Sequence, residues 1–168
     1  MTQGALNPFA ISCGDPAGIG PEIVCKSWLQ RKEAELNPFF VVGNMADFDA
    51  IPDVPARQIT DPAQAAEVFD HALPIFDIHR GEAAVPGQPT LDGAQCALHA
   101  LEIACGLARS GDAGAIVTAP VSKAQLYKIG FRYPGQTEFV SERCGISRKN
   151  AVMMLAGPSL RVIPMTTH

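Results

Sequence analysis

The stretch "CGDPAGIGPEI", residues 13–23, follows the apolar run "PFAISC" (8–13) and sets three glycines and two prolines around two carboxylates. Three structures could use such a string: a phosphate-cradling loop, a dinucleotide fingerprint, or a tight turn that starts a helix. The order Gly14-x-x-x-Gly18-x-Gly20 is not GxGxxG, and no lysine with Ser or Thr follows at the spacing a P-loop requires. A strand-to-helix turn remains. Pro21 stands at the first helical position, where its missing N–H is harmless, and Glu22 lies in the first turn, where the helix dipole favours a negative charge. Such a turn either serves helix–sheet packing or, at the carboxyl edge of an open α/β sheet, walls a ligand cleft that Asp15 would face.

Outward from this turn, β-rich runs alternate with helical segments. "FFVVG" (39–43) reads as a strand covered on both faces, since its hydrophobicity is continuous. In "TDPAQAAEVFDHA", Asp61 is an N-cap and Pro62 the first helical residue. "LPIFDI" (73–78) is a further strand, and 80–92 is loop. The segment beginning "LDGAQCALHALEIACGLARS" places Ala94, Ala97, Leu98, Leu101, Ala104, Cys105 and Ala108 on one stripe at 3.6-residue spacing, with Gly111 ending the helix. "AIVTAP" (115–120) reads as a strand stopped by Pro120, and "SKAQLYKIG" as a short helix stopped by Gly130. "TEFVSERCG" reads as a helix with Thr137 as N-cap and Gly145 past its end. "AVMMLAG" and "LRVIPMTTH" are two closing strands joined at "GPS". The alternation predicts an α/β layered fold with a largely parallel sheet. A strand ending in Thr166, Thr167 and His168 has no helix after it, which suggests part of a longer chain.

The 168 residues carry a net charge of -4 with scattered lysines and arginines, so no basic face is available for nucleic acid. No apolar run approaches the length of a membrane span, and "MTQGALNPFA" lacks the positive charge and apolar core of a secretory signal. The five cysteines (Cys13, Cys25, Cys96, Cys105, Cys144) have no metal-type CxxC spacing and read as reduced structural thiols of a cytoplasmic protein.

The strings "GDPAGIGPEI", "AIVTAPVSKAQL", "YPGQTEF" and "VMMLAGPSLRVIPMTTH" together resemble the 4-hydroxythreonine-4-phosphate dehydrogenase family of vitamin B6 synthesis. Family members are about twice this length, so the chain resembles the N-terminal half. The resemblance implies a three-layer α/β/α fold of the isocitrate/isopropylmalate dehydrogenase type. Residues 1–130 would form the first α/β domain and 131–168 the beginning of a second, in a homodimer whose active site is shared across the interface. It further implies oxidation of the substrate's secondary alcohol with NAD or NADP, then decarboxylation to 3-amino-2-oxopropyl phosphate.

A divalent ion (zinc, magnesium or cobalt) held by three histidines is also implied, and only His168 of "TTH" matches a ligand position here. An imidazole suits such an ion, and three protein ligands leave positions open for substrate oxygens. His71, His79 and His99 read as structural or solvent-facing. In "YPGQTEF" the family usually has histidine then threonine, both contacting substrate; this chain has Gln136 and Thr137. A helix N-terminus there would favour a phosphate, and glutamine keeps a donor but no charge. Lys123 of "APVSK" follows a strand end and could reach a cleft or lie on a surface helix; Asp92 and Gln95 open the long helix, where capping accounts for Asp92. Two alternatives accompany the leading expectation. One is a relative acting on another hydroxy-acid phosphate or a cyclic diol carboxylate; the other is a non-catalytic half-domain that binds a phosphorylated metabolite.

Overall fold

The computed structural model describes residues 7–49 and 51–165. The chain forms two compact units, Met1–Arg132 and Tyr133–His168.

The first unit is built on five strands: β1 (Phe9–Ser12), β2 (Phe39–Gly43), β3 (Ala56–Ile59), β4 (Leu73–Asp77) and β5 (Ile116–Thr118). All pair in parallel in the order β3-β4-β2-β1-β5, with Ile11 opposite Val41 and Val117, and Val41 opposite Ile75. Parallel neighbours need crossovers, which helices supply. These are α1 (Gly20–Leu29), the single-turn α2 (Ala46–Asp49), α3 (Ala65–Val68) behind a 3-10 turn, and α4 (Leu91–Ser110), while α5 (Lys123–Lys128) follows β5. Every residue of β2 is buried, which requires cover on both of its faces. The core gathers Phe40, Val41, Val42, Phe48, Leu73 and Ile75 from the sheet and α2, each contributing roughly 1.5–3 kcal/mol relative to exposure. Trp28 of α1 is anchored in it by its indole N–H, which donates to the Phe69 carbonyl at 2.9 Å.

The glycine stretch is a turn, for a steric reason. Gly14 has φ 71°, and a Cβ there would lie 2.2 Å from the Pro120 carbonyl oxygen. The Asp15 N–H donates to that same carbonyl at 2.9 Å, so the turn is pressed onto the end of β5. A Cβ at Gly20 would lie 2.5 Å from the Cys13 carbonyl oxygen, so the first residue of α1 must also be small. Pro21 occupies the first helical turn with Glu22 beside it.

Caps follow the expected chemistry in one case and depart from it in two. Asp61 accepts from the Ala63 N–H at 2.9 Å, and Gln64 completes the box by accepting from the Asp61 N–H at 3.2 Å. Helix α4 is capped by Thr90, whose hydroxyl accepts from the Gly93 N–H at 3.0 Å; Asp92 is inside the first turn and faces Arg80 instead. Gly111 ends α4 with φ 87°. The apolar stripe of α4 is wider than its largest side chains suggest. Cys96 and Ala100 are buried along with Ala97, Leu101 and Ala104, whereas Leu98 and Ala108 are only half-buried. Small residues let the helix approach the sheet closely.

The second unit contains α6 (Gln136–Arg143), a 3-10 turn (Arg148–Asn150), and the hairpin β6 (Leu155–Ala156) and β7 (Arg161–Val162). Gly135, not Thr137, is the N-cap of α6; it is extended and offers no side chain. The Tyr133 ring packs edge-on to Phe139 at 5.2 Å, and the Arg143 guanidinium lies over the Phe139 ring, 4.5 Å from its centroid. The closing strands are shorter than expected, two antiparallel residues each, with the Gly157 N–H bonded to the Leu160 carbonyl at 2.8 Å across the turn.

Candidate functional site

Three of the five parallel strands end around one cleft of 330 Å³, lined by Pro16 behind β1, Asn44 and Asp47 behind β2, Arg80 and Glu82 to Val85 behind β4, and the start of α4. Ligands of open α/β sheets bind at this carboxyl edge. The loop after β4 is held in place by carboxylates and an amide. Asp77 Oδ1 accepts from the Met45 and His79 N–H groups, each at 3.0 Å, and Oδ2 lies 2.7 Å from His79 Nδ1. Asn44 Nδ2 donates to the Gly81 and Glu82 carbonyls at 3.3 and 3.4 Å, while Asn44 Oδ1 accepts from the Arg80 N–H at 3.3 Å. Asp47 Oδ1 accepts from the Ala84 N–H at 2.7 Å. Burial pushes the Asp47 carboxyl above the usual aspartate range, against the hydrogen bonds from Ala84 and Asn44, which pull it down. Arg80 closes one side, its Nη2 donating to Gln95 Oε1 at 2.9 Å and reaching Asp92 at 3.5 Å.

Of the residues singled out from the sequence, Asp92 lines this cleft and Gln95 is tied to it only through Arg80. Asp15 is buried, with Oδ1 accepting from the Ala17 N–H at 3.0 Å; the neighbouring Pro16 is the residue of the turn that lines the cleft. Lys123 is exposed at the first residue of α5. Gln136 is half-buried and Thr137 exposed, in the first turn of α6. His71 and His99 are exposed, and His79 is turned toward Asp77. His168 lies outside the described residues. Asn44, Asp47 and Arg80 were not singled out, because "GNMAD" and a lone arginine in a loop carry no spacing that marks a site, and Cys96 was read only as a structural thiol.

The sequence matches the family model described as pyridoxal phosphate biosynthetic protein PdxA over residues 31–168. The chain belongs to the PdxA family. The 4-hydroxythreonine-4-phosphate dehydrogenase of Zymomonas mobilis is 52% identical over 163 residues, which cover 97% of this chain and 49% of that protein. A crystal structure of a 4-hydroxythreonine-4-phosphate dehydrogenase from Burkholderia phymatum aligns with a TM-score of 0.80 at 28% identity, covering 95% of this chain and 49% of that one. A terephthalate 1,2-cis-dihydrodiol dehydrogenase from Burkholderia xenovorans LB400 aligns with a TM-score of 0.70 at 25% identity, covering 93% and 46%. The chain thus spans about half the length of the curated PdxA relatives it matches. The resemblance carried by "GDPAGIGPEI" and the three later motifs is to this same family, and the α/β fold with its parallel sheet agrees with its solved members.

Proposed function

We propose that this chain is the N-terminal half of a PdxA-family enzyme that oxidises 4-phosphooxy-L-threonine with NAD or NADP. The β-keto acid so formed loses carbon dioxide to give 3-amino-2-oxopropyl phosphate, in the cytoplasmic synthesis of pyridoxal 5'-phosphate. What supports the reading in this chain, beyond its family, is the start of α6. Gly135 caps the helix without a side chain, so the cap leaves the exposed Thr137 hydroxyl unused. The N–H groups of a first helical turn have no partner within the helix, and the dipole adds positive potential, the combination that suits a phosphate. In this reading Thr137 donates to a phosphate oxygen and Gln136 supplies a neutral amide donor. Asp15 stiffens the glycine turn at the cleft wall, and Lys123 is an exposed cation at the start of α5.

The ion of the family would take His168 as one ligand, in a homodimer that completes the site. Among the described residues no group of three His, Cys, Asp or Glu side chains is placed to hold a metal. The described side chains thus do not by themselves form that centre. No helix among the described residues is long and apolar enough to cross a membrane.

The test is turnover by the full-length protein, followed by coenzyme reduction and carbon dioxide release. Activity on 4-phosphooxy-L-threonine is expected, with Thr137→Val raising KM on the order of 10-fold for one lost hydrogen bond to a charged group. A second reading, oxidation of a cyclic diol carboxylate, draws on Gln136, whose amide carries no charge for a phosphate, and on the structural likeness to the dihydrodiol dehydrogenase. Turnover of a cis-dihydrodiol carboxylate with none of the phosphorylated threonine would replace the first reading by the second.

A further inference from the structure

One wall of the 330 Å³ cleft is a loop that little holds down. Residues 81–90 form neither helix nor strand, and all of them are exposed except Ala84, which is half-buried. Val85, the bulkiest apolar side chain among them, is 55% exposed, so hydrophobic burial contributes little to keeping the segment in place. A segment of this kind belongs to the low-stability end of a structure, where local opening needs no global unfolding.

What fastens it is a short set of hydrogen bonds of unequal length. Just before the segment, His79 takes a left-handed φ of 51°, a conformation that costs a bulky residue energy. Asp77 fixes it there, Oδ1 accepting from the His79 N–H at 3.0 Å and Oδ2 lying 2.7 Å from Nδ1. Toward the other end, the Gly87 N–H donates to the Ala17 carbonyl at 2.7 Å, and the Gln125 side-chain amide donates to the Pro89 carbonyl at 3.2 Å. Between these anchored ends one short bond reaches across to α2, from the Ala84 N–H to Asp47 Oδ1 at 2.7 Å. The bonds from Asn44 Nδ2 to the Gly81 and Glu82 carbonyls, at 3.3 and 3.4 Å, are long and weak. The Gln88 N–H bonds to the Val85 carbonyl, inside the loop itself.

We propose that residues 81–87 are a strap that swings open from the cleft as one piece, pivoting at Gly81 and Gly87, with Asp47 as its latch. The two glycines have φ 96° and 77°, and a Cβ at either would meet nothing within 4 Å, so both stand free of neighbours. The latch itself is held still. Asp47 is buried in α2, directly behind the fully buried β2, and its neighbour Phe48 is packed in the core. Release of the Ala84 bond withdraws Glu82, Ala83, Ala84 and Val85 from the wall together. Solvent then reaches the lining residues that stay, among them Cys96, which is 3% exposed with the strap closed. Such a device gates the entry and release of whatever the cleft holds.

The experiment follows two rates in the full-length protein carrying Cys144→Ala: exchange of the Ala84 amide hydrogen, and alkylation of Cys96 by iodoacetamide, mapped by peptide. Asp47→Ala should speed both on the order of 10-fold, the equivalent of one lost hydrogen bond. The amides of β2, and alkylation of Cys25, which is buried in α1 and does not line the cleft, should keep the parent's rates. Asp47→Asn keeps an oxygen for the Ala84 N–H and should stay close to the parent in both. A broken bond alone would free only the Ala84 amide, whereas an opening strap also uncovers Cys96. Cys96 alkylation that Asp47→Ala leaves unchanged, or speeds no more than that of Cys25, overturns the proposal. If Asp47→Ala does not fold, the parent decides: local opening makes Cys96 alkylation insensitive to low urea, and a rate that climbs with urea as global unfolding does overturns it. No readout depends on dehydrogenase turnover, so failure here is separate from failure of the proposed activity.

Discussion

Gly14 carries the tightest steric requirement in the turn behind β1. Its positive φ and the 2.2 Å approach to the Pro120 oxygen act together, so Gly14→Ala strains the backbone and forces the turn off β5. Loss of at least about 1–3 kcal/mol in stability is expected from urea unfolding, and an unchanged midpoint would show that the turn is not pinned there. Asp47 makes a prediction of opposite character. Its carboxyl is raised by burial, so between the unfolded and folded values the native chain holds the extra proton. Stability then falls as pH rises through a window that opens in the ordinary aspartate range, and it stays lower above that window. Asp47→Asn keeps an oxygen acceptor for the Ala84 N–H but has no charge to bury. The variant should gain on the parent progressively from acid pH to neutrality; a difference that is constant with pH, or that grows toward acid, would contradict the assignment.

Helix α4 shows how caps and small residues fix an element that walls the site. Thr90→Ala removes the acceptor for the Gly93 N–H and should lower stability by about 1 kcal/mol, read as a shift in the unfolding midpoint. An effect of the same size at Asp92→Ala, with none at Thr90→Ala, would restore Asp92 as the cap. The element itself was plain from its 3.6-residue stripe and from Gly111, as were β2 from its unbroken apolar run and the cap at Asp61 and Pro62, which opens a 3-10 turn before α3 where the sequence suggested a helix. Which residue capped each helix was less legible. Thr90 and Asp92 stand two positions apart, and either is good cap chemistry until the chain direction entering the helix is known. Gly135 and Thr137 pose the same ambiguity at α6. Strand β3 and the single turn α2 escaped notice because "ARQI" and "ADFD" are too short and too polar to carry a period.

The two units together make a chain that matches only about half the length of its PdxA relatives. The proposed reaction draws ion and substrate ligands from the other half, so the 168-residue chain alone should bind no coenzyme productively and turn over no substrate. Dehydrogenase activity measured on that chain in isolation would show that its own residues suffice and would overturn the shared site. Class and family were legible along the chain. Strand–helix alternation, a glycine turn opening on Pro21, and four motifs in order are local properties, set by backbone sterics, periodicity and residue type. The cleft was not legible. Asn44, Asp47, Arg80 and Cys96 are scattered over more than fifty positions and become neighbours only because β2 and β4 pair in parallel and α4 crosses beside them. Strand order is set by the burial of one sheet against its helices, a property of the whole packed unit that no single window of residues contains.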